Sequence, residues 1–174
     1  SYVYKRHTGD SIVLMGPAFT PYIEIPRLNR YRFKVTELHA NRMSKDGLHL
    51  WQYSDEDINR LKNRAIKALF VTNPSNPPSY TLSPETMERI VTIVKEDNPN
   101  LMIITDDVYG TFSPHFRSFM AEIPYNTLCV YSFSKYFGAT GWRNAVIALH
   151  EYNVFDRQIS RLPKEKREIL NRRY

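Results

Sequence analysis

The stretch Ser132–Arg143 gathers side chains that could perform covalent chemistry on an aldehyde. The residues that carry suitable donor groups in it are Ser132, Ser134, Lys135 and Arg143. They follow the apolar segment Leu128–Tyr131, which is typical of a buried strand. An amine can attack an aldehyde carbon, while hydroxyl and guanidinium groups can hold a dianionic phosphate. This combination matches pyridoxal 5'-phosphate (PLP), which carries both an aldehyde and a phosphate.

Two other segments also place polar side chains directly after strand-like runs. Thr105–Tyr109 follows Leu101–Ile104, and Asn73–Pro78 follows Ala68–Thr72. In open α/β sheets, ligands bind at the carboxyl ends of the strands. Three such clusters therefore predict one site at a single edge of a sheet.

These three motifs resemble those of the fold type I PLP-dependent aminotransferases, the aspartate aminotransferase superfamily. The resemblance implies that Lys135 bonds covalently to the cofactor. It also implies that the Asp106 carboxylate faces the pyridine nitrogen, and that Tyr109 and Asn76 donate to the ring oxygen. Lys135, Asp106 and Tyr109 are the expected catalytic residues.

The resemblance spans residues 17–143 and supplies the remaining contacts to the cofactor. The implied phosphate ligands are Ser132, Ser134 and Arg143. Phe19 falls where the family stacks an aromatic side chain on the ring. The family has cis prolyl bonds at the positions of Gly16-Pro17 and Asn76-Pro77. No metal ion is expected.

Three motifs are most similar to those of the bacterial aspartate 4-decarboxylases, also described as bifunctional with aspartate aminotransferase. They are Asn73–Ser79, Thr105–Phe112 and Tyr131–Arg143. Pro78 and Ser79 depart from the general pattern, in which most aminotransferases have Thr-Gly. The resemblance implies that the full-length protein converts L-aspartate to L-alanine and CO2, with aspartate aminotransferase activity. Its partners would be amino acids and 2-oxo acids, and it would form a homo-oligomer.

Two other functions remain open from the sequence. One is an aminotransferase for another amino acid; the Pro78-Ser79 departure weakens this assignment but not that of the cofactor. The other is a non-catalytic PLP-sensing module, such as the aminotransferase-like half of a transcription regulator.

Asp106 and Asp107 are expected to have different roles. Side chains alternate along a strand, so only one of the two can face the ring. A carboxylate beside the pyridine nitrogen would raise the pKa of that nitrogen and keep the ring electron-withdrawing. We assign that role to Asp106 and expect Asp107 to be structural.

Composition indicates one globular domain rather than a disordered chain. The chain has 174 residues and a 42% hydrophobic content, enough for one buried core. We expect residues 1–174 to form most of the PLP-binding large domain of the resembled family, without its N-terminal part and its C-terminal small domain. Cys129 is the one cysteine, which excludes an intrachain disulfide and fits a reducing compartment. With no apparent membrane span or signal peptide, the expected location is the cytoplasm.

The net charge of +6 comes largely from the tail Arg157–Arg173. Basic stripes can bind nucleic acid, but glutamates interleave here and apolar residues recur at helical spacing. We therefore predict a solvated amphipathic helix and no nucleic-acid partner.

Apolar runs and capping residues predict the remaining elements. The further strands are Ser11–Met15, an edge or half-exposed strand at Arg32–Leu38, and Ala145–Leu149. Ser54 and Ser83 are the expected N-caps of helices that run to Lys67 and to about Glu96.

Strands that alternate with helices predict an α/β fold with a mostly parallel sheet and helices on both faces. The segment between Lys135 and Ala145 is too short for a helical crossover. The strand Ala145–Leu149 is therefore expected to be antiparallel to its neighbour.

Overall fold

A computed structural model describes residues 10–28 and 33–171. Its strands are β1 (Ser11–Gly16), β2 (Lys34–His39), β3 (Arg42–Met43), β4 (His49–Leu50), β5 (Ile66–Thr72), β6 (Met102–Asp106), β7 (Thr127–Ser132) and β8 (Ala145–Leu149). Its α-helices are α1 (Thr20–Arg27), α2 (Asp55–Asn59), α3 (Pro84–Thr92), α4 (Phe119–Glu122), α5 (Val154–Ser160) and α6 (Lys164–Asn171).

Six strands form one sheet in the order β2-β1-β5-β6-β7-β8. The first five are parallel, and β8 is antiparallel to β7. This confirms the predicted mixed sheet and the edge position of β2, whose predicted first residue, Arg32, lies outside the described residues. The hairpin of β3 and β4 was not predicted, because each strand has two residues and no apolar pattern to mark it.

Alternate residues of the central strands face two separate apolar cores. On β5, Leu69 and Val71 face the first core, while Ala68 and Phe70 face the second. Helices α2, α3 and α4 cover the first core with Ile58, Met87, Ile90 and Phe119. Helix α5 covers the second with Val154 and Phe155. Helices therefore lie on both faces, as predicted.

The predicted helix starts are correct, and so is the end near Glu96, but the end predicted at Lys67 is wrong. The hydroxyl groups of Ser54 and Ser83 accept hydrogen bonds from the backbone N–H groups of Asp57 and Thr86. Helix α2 passes into a 3-10 turn that ends at Lys62, short of the predicted Lys67, because β5 begins at Ile66. After α3, a π-helical turn continues to Asp97.

The basic tail forms two helices instead of the predicted single one. Helix α5 ends at Ser160, and α6 begins at Lys164. Pro163 lies between them, and a proline disfavours the helical conformation of the residue before it. The last two arginines of the predicted helix, Arg172 and Arg173, lie outside the described residues.

The Gly16-Pro17 and Asn76-Pro77 peptide bonds are cis, as expected from the resemblance, and Asn73-Pro74 is also cis. Within the part of the chain that the structure describes, no helix is long and apolar enough to cross a membrane.

A buried carboxyl group follows β6. Asp107 is 5% exposed, and its oxygens accept hydrogen bonds from the Thr105 hydroxyl and, at 3.3 Å, from the Cys129 thiol. Burial raises the pKa of the Asp107 carboxyl above its ordinary value of 3.8. Burial, together with Asp107, raises the pKa of Cys129 to about 12. The thiol is therefore protonated at neutral pH, consistent with a structural cysteine.

The raised pKa of Asp107 predicts a pH dependence of stability. Because the folded state holds this proton more tightly than the unfolded state, the contribution is complete below pH 3.8 and is lost as pH rises towards the folded pKa. The free energy of unfolding should fall in this window by up to about 1.4 kcal/mol per pH unit. In Asp107→Asn that decline should be absent. Urea denaturation at closely spaced pH values measures it, and equal pH slopes for the two proteins would contradict the prediction.

Candidate active site

Three loops meet at the carboxyl edge of the sheet, one after each of β5, β6 and β7. The backbone N–H of Asn73 donates to the Asp106 carbonyl at 3.1 Å, and that of Asp107 donates to the Val130 carbonyl at 2.9 Å. The Asn73 side chain accepts from the backbone N–H of Leu82 at 3.0 Å, which closes the first loop on itself. These bonds fix the loops relative to one another.

The loops line a cavity of about 620 Å³ that is open to solvent. Its lining residues are Pro74, Ser75, Asn76, Ser79, Thr81, Tyr109, Phe112, Ser113, Pro114, Ser134 and Lys135. Four of the eight residues predicted from the sequence thus converge here, namely Asn76, Tyr109, Ser134 and Lys135. The Lys135 Nζ atom lies 5.9 Å from the centre of the Tyr109 ring.

A chain of aromatic contacts holds the lysine loop against the loop that carries Tyr109. Phe112 contacts Tyr109 with ring centres 6.5 Å apart and meets Tyr136 edge-on at 5.4 Å. Tyr136 meets Phe137 edge-on at 5.2 Å, and Phe137 contacts Phe133 at 5.6 Å. Lys135 lies within this set in sequence, so these contacts place its backbone beside the loop that carries Tyr109.

Asp106 lies at the end of β6, outside the cavity lining. One of its oxygens accepts a hydrogen bond from the Tyr22 hydroxyl at 2.7 Å, and the other accepts from the backbone N–H of Val108 at 3.2 Å. Burial, and then the bond to Asp106, raises the pKa of Tyr22. The phenol therefore stays protonated and acts as the donor that fixes the carboxylate.

Sequence reasoning missed Tyr22, because its spacing indicates a contact with Phe19 but not the one with Asp106. Tyr22 follows Phe19 by three residues in the first turn of α1, and such residues lie on the same face of a helix. Their rings meet edge-on with centres 6.0 Å apart. Phe19 itself is 52% exposed and does not line the cavity.

Two of the predicted phosphate ligands are paired with each other, and the third makes a separate hydrogen bond to the backbone. The Ser132 hydroxyl donates to the Ser134 hydroxyl at 2.9 Å and accepts from the Ser134 backbone N–H at 3.2 Å. Arg143 donates to the Thr140 carbonyl at 3.2 Å. Neither Ser132 nor Arg143 lines the cavity.

The residues present fit PLP. The cavity volume lies within the usual range for small-ligand sites. Its lining supplies an amine, a phenol, an amide and several hydroxyl groups, and none of its described residues is acidic, which suits a phosphorylated ligand. Over residues 10–28 and 33–171, no cluster of three histidine, cysteine or acidic residues could hold a metal ion.

The chain matches the family model described as aminotransferase class I and II over residues 3–170. It is 49% identical over 166 residues to a bifunctional aspartate aminotransferase and L-aspartate beta-decarboxylase from a Pseudomonas species. That alignment covers 95% of this chain but 30% of the relative.

Solved structures show the same fold. An aspartate aminotransferase from Thermotoga maritima matches with a TM-score of 0.68 and 25% identity, over 86% of this chain and 38% of that one. Cystalysin from Treponema denticola, which contains PLP, matches with a TM-score of 0.67 and 19% identity, over 87% of this chain and 38% of that one. The chain spans roughly a third of the length of these proteins. The match over residues 3–170 shows that it belongs to the class I and II aminotransferases, whose cofactor is pyridoxal 5'-phosphate, as the sequence predicts.

Proposed function

We propose that the complete protein is a PLP-dependent enzyme that acts on L-aspartate. It releases the β-carboxylate as CO2 to give L-alanine, and it also transaminates aspartate. The convergence of Lys135, Tyr109 and Asn76 on one cavity carries the proposal of amino-acid chemistry. The 49% identity to the bifunctional Pseudomonas enzyme supports aspartate as the substrate, since more distant aminotransferases are 23 to 29% identical to the chain.

Each predicted residue has a proposed task at this site. Bound PLP supplies a ring that withdraws electrons from the bonds of the substrate carbon. Lys135 would hold the cofactor through its amine, and the same amine, when free, would take the proton from the substrate Cα. Asp106, fixed by Tyr22, holds the proton on the pyridine nitrogen. Tyr109 and Asn76 donate to the ring oxygen and favour its ionised form.

The remaining residues bind the phosphate and orient the ring. Ser134 lines the cavity, and Ser132 supports it through their shared hydrogen bond. Arg143 lies on the same loop, and its guanidinium would exchange the Thr140 carbonyl for two phosphate oxygens. Phe19 would stack on the ring, held beside it by the edge contact with Tyr22.

A second candidate is an aminotransferase for another amino acid. Two of the more distant relatives support it, a kynurenine--oxoglutarate transaminase and a tyrosine aminotransferase, both from Dictyostelium discoideum, at 26 and 29% identity.

The proposal extends to the setting of the complete protein. Residues 1–174 form most of the PLP-binding large domain, and the rest of the enzyme supplies the small domain and the missing part of the site. The partners are amino acids and 2-oxo acids, and the assembly is a homo-oligomer. The single cysteine supports a reducing compartment such as the cytoplasm.

The substrate assignment is tested by assaying the complete reading frame with PLP. L-Aspartate should yield L-alanine and CO2, and addition of 2-oxoglutarate should divert part of the aspartate to oxaloacetate. L-Tyrosine and L-kynurenine serve as controls and should react at least about tenfold more slowly, since a missing hydrogen bond to a charged group costs about a factor of ten. Transamination without alanine formation would instead support the second candidate.

The role of Lys135 predicts where a reduced cofactor label will be found. Borohydride treatment of the PLP-loaded complete protein, followed by peptide mass mapping, should place the label on Lys135. In Lys135→Ala the label should disappear, and turnover should fall at least about 100-fold, as for other positioned acid–base groups.

Lys164 provides the matched control. Its side chain is 82% exposed, and it lies in α6, outside the three loops that form the cavity. Lys164→Ala should keep both the label and the activity. A label that maps to another lysine in the parent protein would refute the assignment.

A further inference from the structure

Three hydroxyl groups that line the cavity have no role in the function proposed above. They belong to Ser79, Thr81 and Ser113, all of which line it together with Lys135. The Thr81 and Ser113 hydroxyls lie 3.4 Å apart, so they join the loop after β5 to the loop after β6. The hydroxyl wall, as we call these three residues, is therefore a defined part of the cavity.

Ser79 occupies a backbone conformation that disfavours a side chain. Its φ angle is 57°, in the left-handed region that glycine adopts without steric cost. Most aminotransferases have glycine at this position, whereas here a side chain is present at an unfavourable φ. The hydroxyl donates weakly to the Pro77 carbonyl at 3.4 Å, and the residue is exposed at the cavity. Strained residues of this kind cluster at functional sites.

The charges around the hydroxyl wall favour an anionic ligand. Among the described residues that line the cavity, none is acidic and Lys135 is the one basic residue. Hydroxyl groups donate to carboxylates, and such bonds to a charged acceptor are stronger than neutral ones. Three hydroxyl donors on two loops can together satisfy the two oxygens of one carboxylate.

We propose that Ser79, Thr81 and Ser113 bind the side-chain carboxylate of a dicarboxylic substrate and so select it over monocarboxylic amino acids. This inference rests on the proposed function, because it concerns the substrate at the same site. It assigns the Pro78-Ser79 departure to substrate selection. If Ser79 served only to form the turn, its hydroxyl could be removed without an effect on substrate binding.

The test measures ligand binding as well as turnover in the PLP-loaded complete protein. The probes are succinate, a four-carbon dicarboxylate, and butyrate, which has the same length and one carboxylate. Their Kd values are measured by calorimetry for the parent protein, Ser79→Ala, Ser79→Gly and Ser113→Ala, and the KM for L-aspartate is measured alongside. The Kd for succinate and the KM should rise at least about tenfold in each variant, as for loss of a hydrogen bond to a charged group. The Kd for butyrate should not change.

His115 gives a matched control for backbone strain. It also has a left-handed φ, of 59°, in the loop after β6, but it does not line the cavity. His115→Gly and Ser79→Gly should both raise Tm, because glycine relieves the same strain. Only Ser79→Gly should weaken succinate binding.

The outcomes separate the two levels of the proposal. If the parent binds succinate well and the Ser79 and Ser113 variants bind it equally well, the hydroxyl wall is not the carboxylate site, and the proposed function stands. If the parent binds PLP but neither binds succinate nor turns over aspartate, both proposals are wrong. Weaker succinate binding in Ser79→Gly with normal binding in Ser79→Ala would indicate loop flexibility and would also overturn the inference.

Discussion

The parallel pairing of β5, β6 and β7 is the constraint on which the site depends. Parallel strands end at the same edge, so loops that are distant in sequence meet there. Two backbone hydrogen bonds extend this pairing past the strand ends, from Asn73 to Asp106 and from Asp107 to Val130. The loops therefore start from fixed positions, and Asn76, Tyr109 and Lys135 need only short segments to reach one cavity. Because β8 is antiparallel to β7, the loop that joins the two strands and carries Lys135 can be short.

The pleat of β6 separates two neighbouring carboxyl groups into different environments. Asp106 reaches Tyr22 at the exposed end of the strand, while Asp107 is enclosed by Thr105 and Cys129. Alternation along the strand makes this division unavoidable. The carboxylate of Asp106, for which we propose the cofactor role, is thus separate from that of Asp107, which joins the loop to the core.

The sequence predicts well those features that depend on local pattern. Ser54 and Ser83 are N-caps because a hydroxyl in that position satisfies a free backbone N–H. The mixed sheet followed from apolar runs and from the short link before Ala145.

The contact between Tyr22 and Asp106 could not be predicted in this way, since 84 residues separate the two and no local pattern joins them. The same holds for Thr81 and Ser113, whose proximity depends on how two loops pack. The end of α2 was predicted wrongly because Ile66 belongs to β5 and pairs with Ser11 of β1. Pairing in the sheet can outweigh the local helix propensity of such a segment.

Two hydrogen-bonded tyrosines, Tyr53 buried and Tyr80 half-buried, connect the parts of the site that the sheet does not hold. Tyr53 donates to the Gly16 carbonyl at 3.0 Å, next to the turn that leads to Phe19 and Tyr22. It also shares a 2.6 Å hydrogen bond with Tyr80, whose backbone N–H reaches the Ser75 hydroxyl beside Asn76. Burial raises the pKa of Tyr53 and raises that of Tyr80 to about 12, so both phenols stay protonated at physiological pH. The proposed stacking ring and the proposed ring-oxygen donor are thus joined by neutral hydrogen bonds. Because both phenols stay protonated, these hydrogen bonds keep their donors at physiological pH, and this part of the frame does not change with pH there.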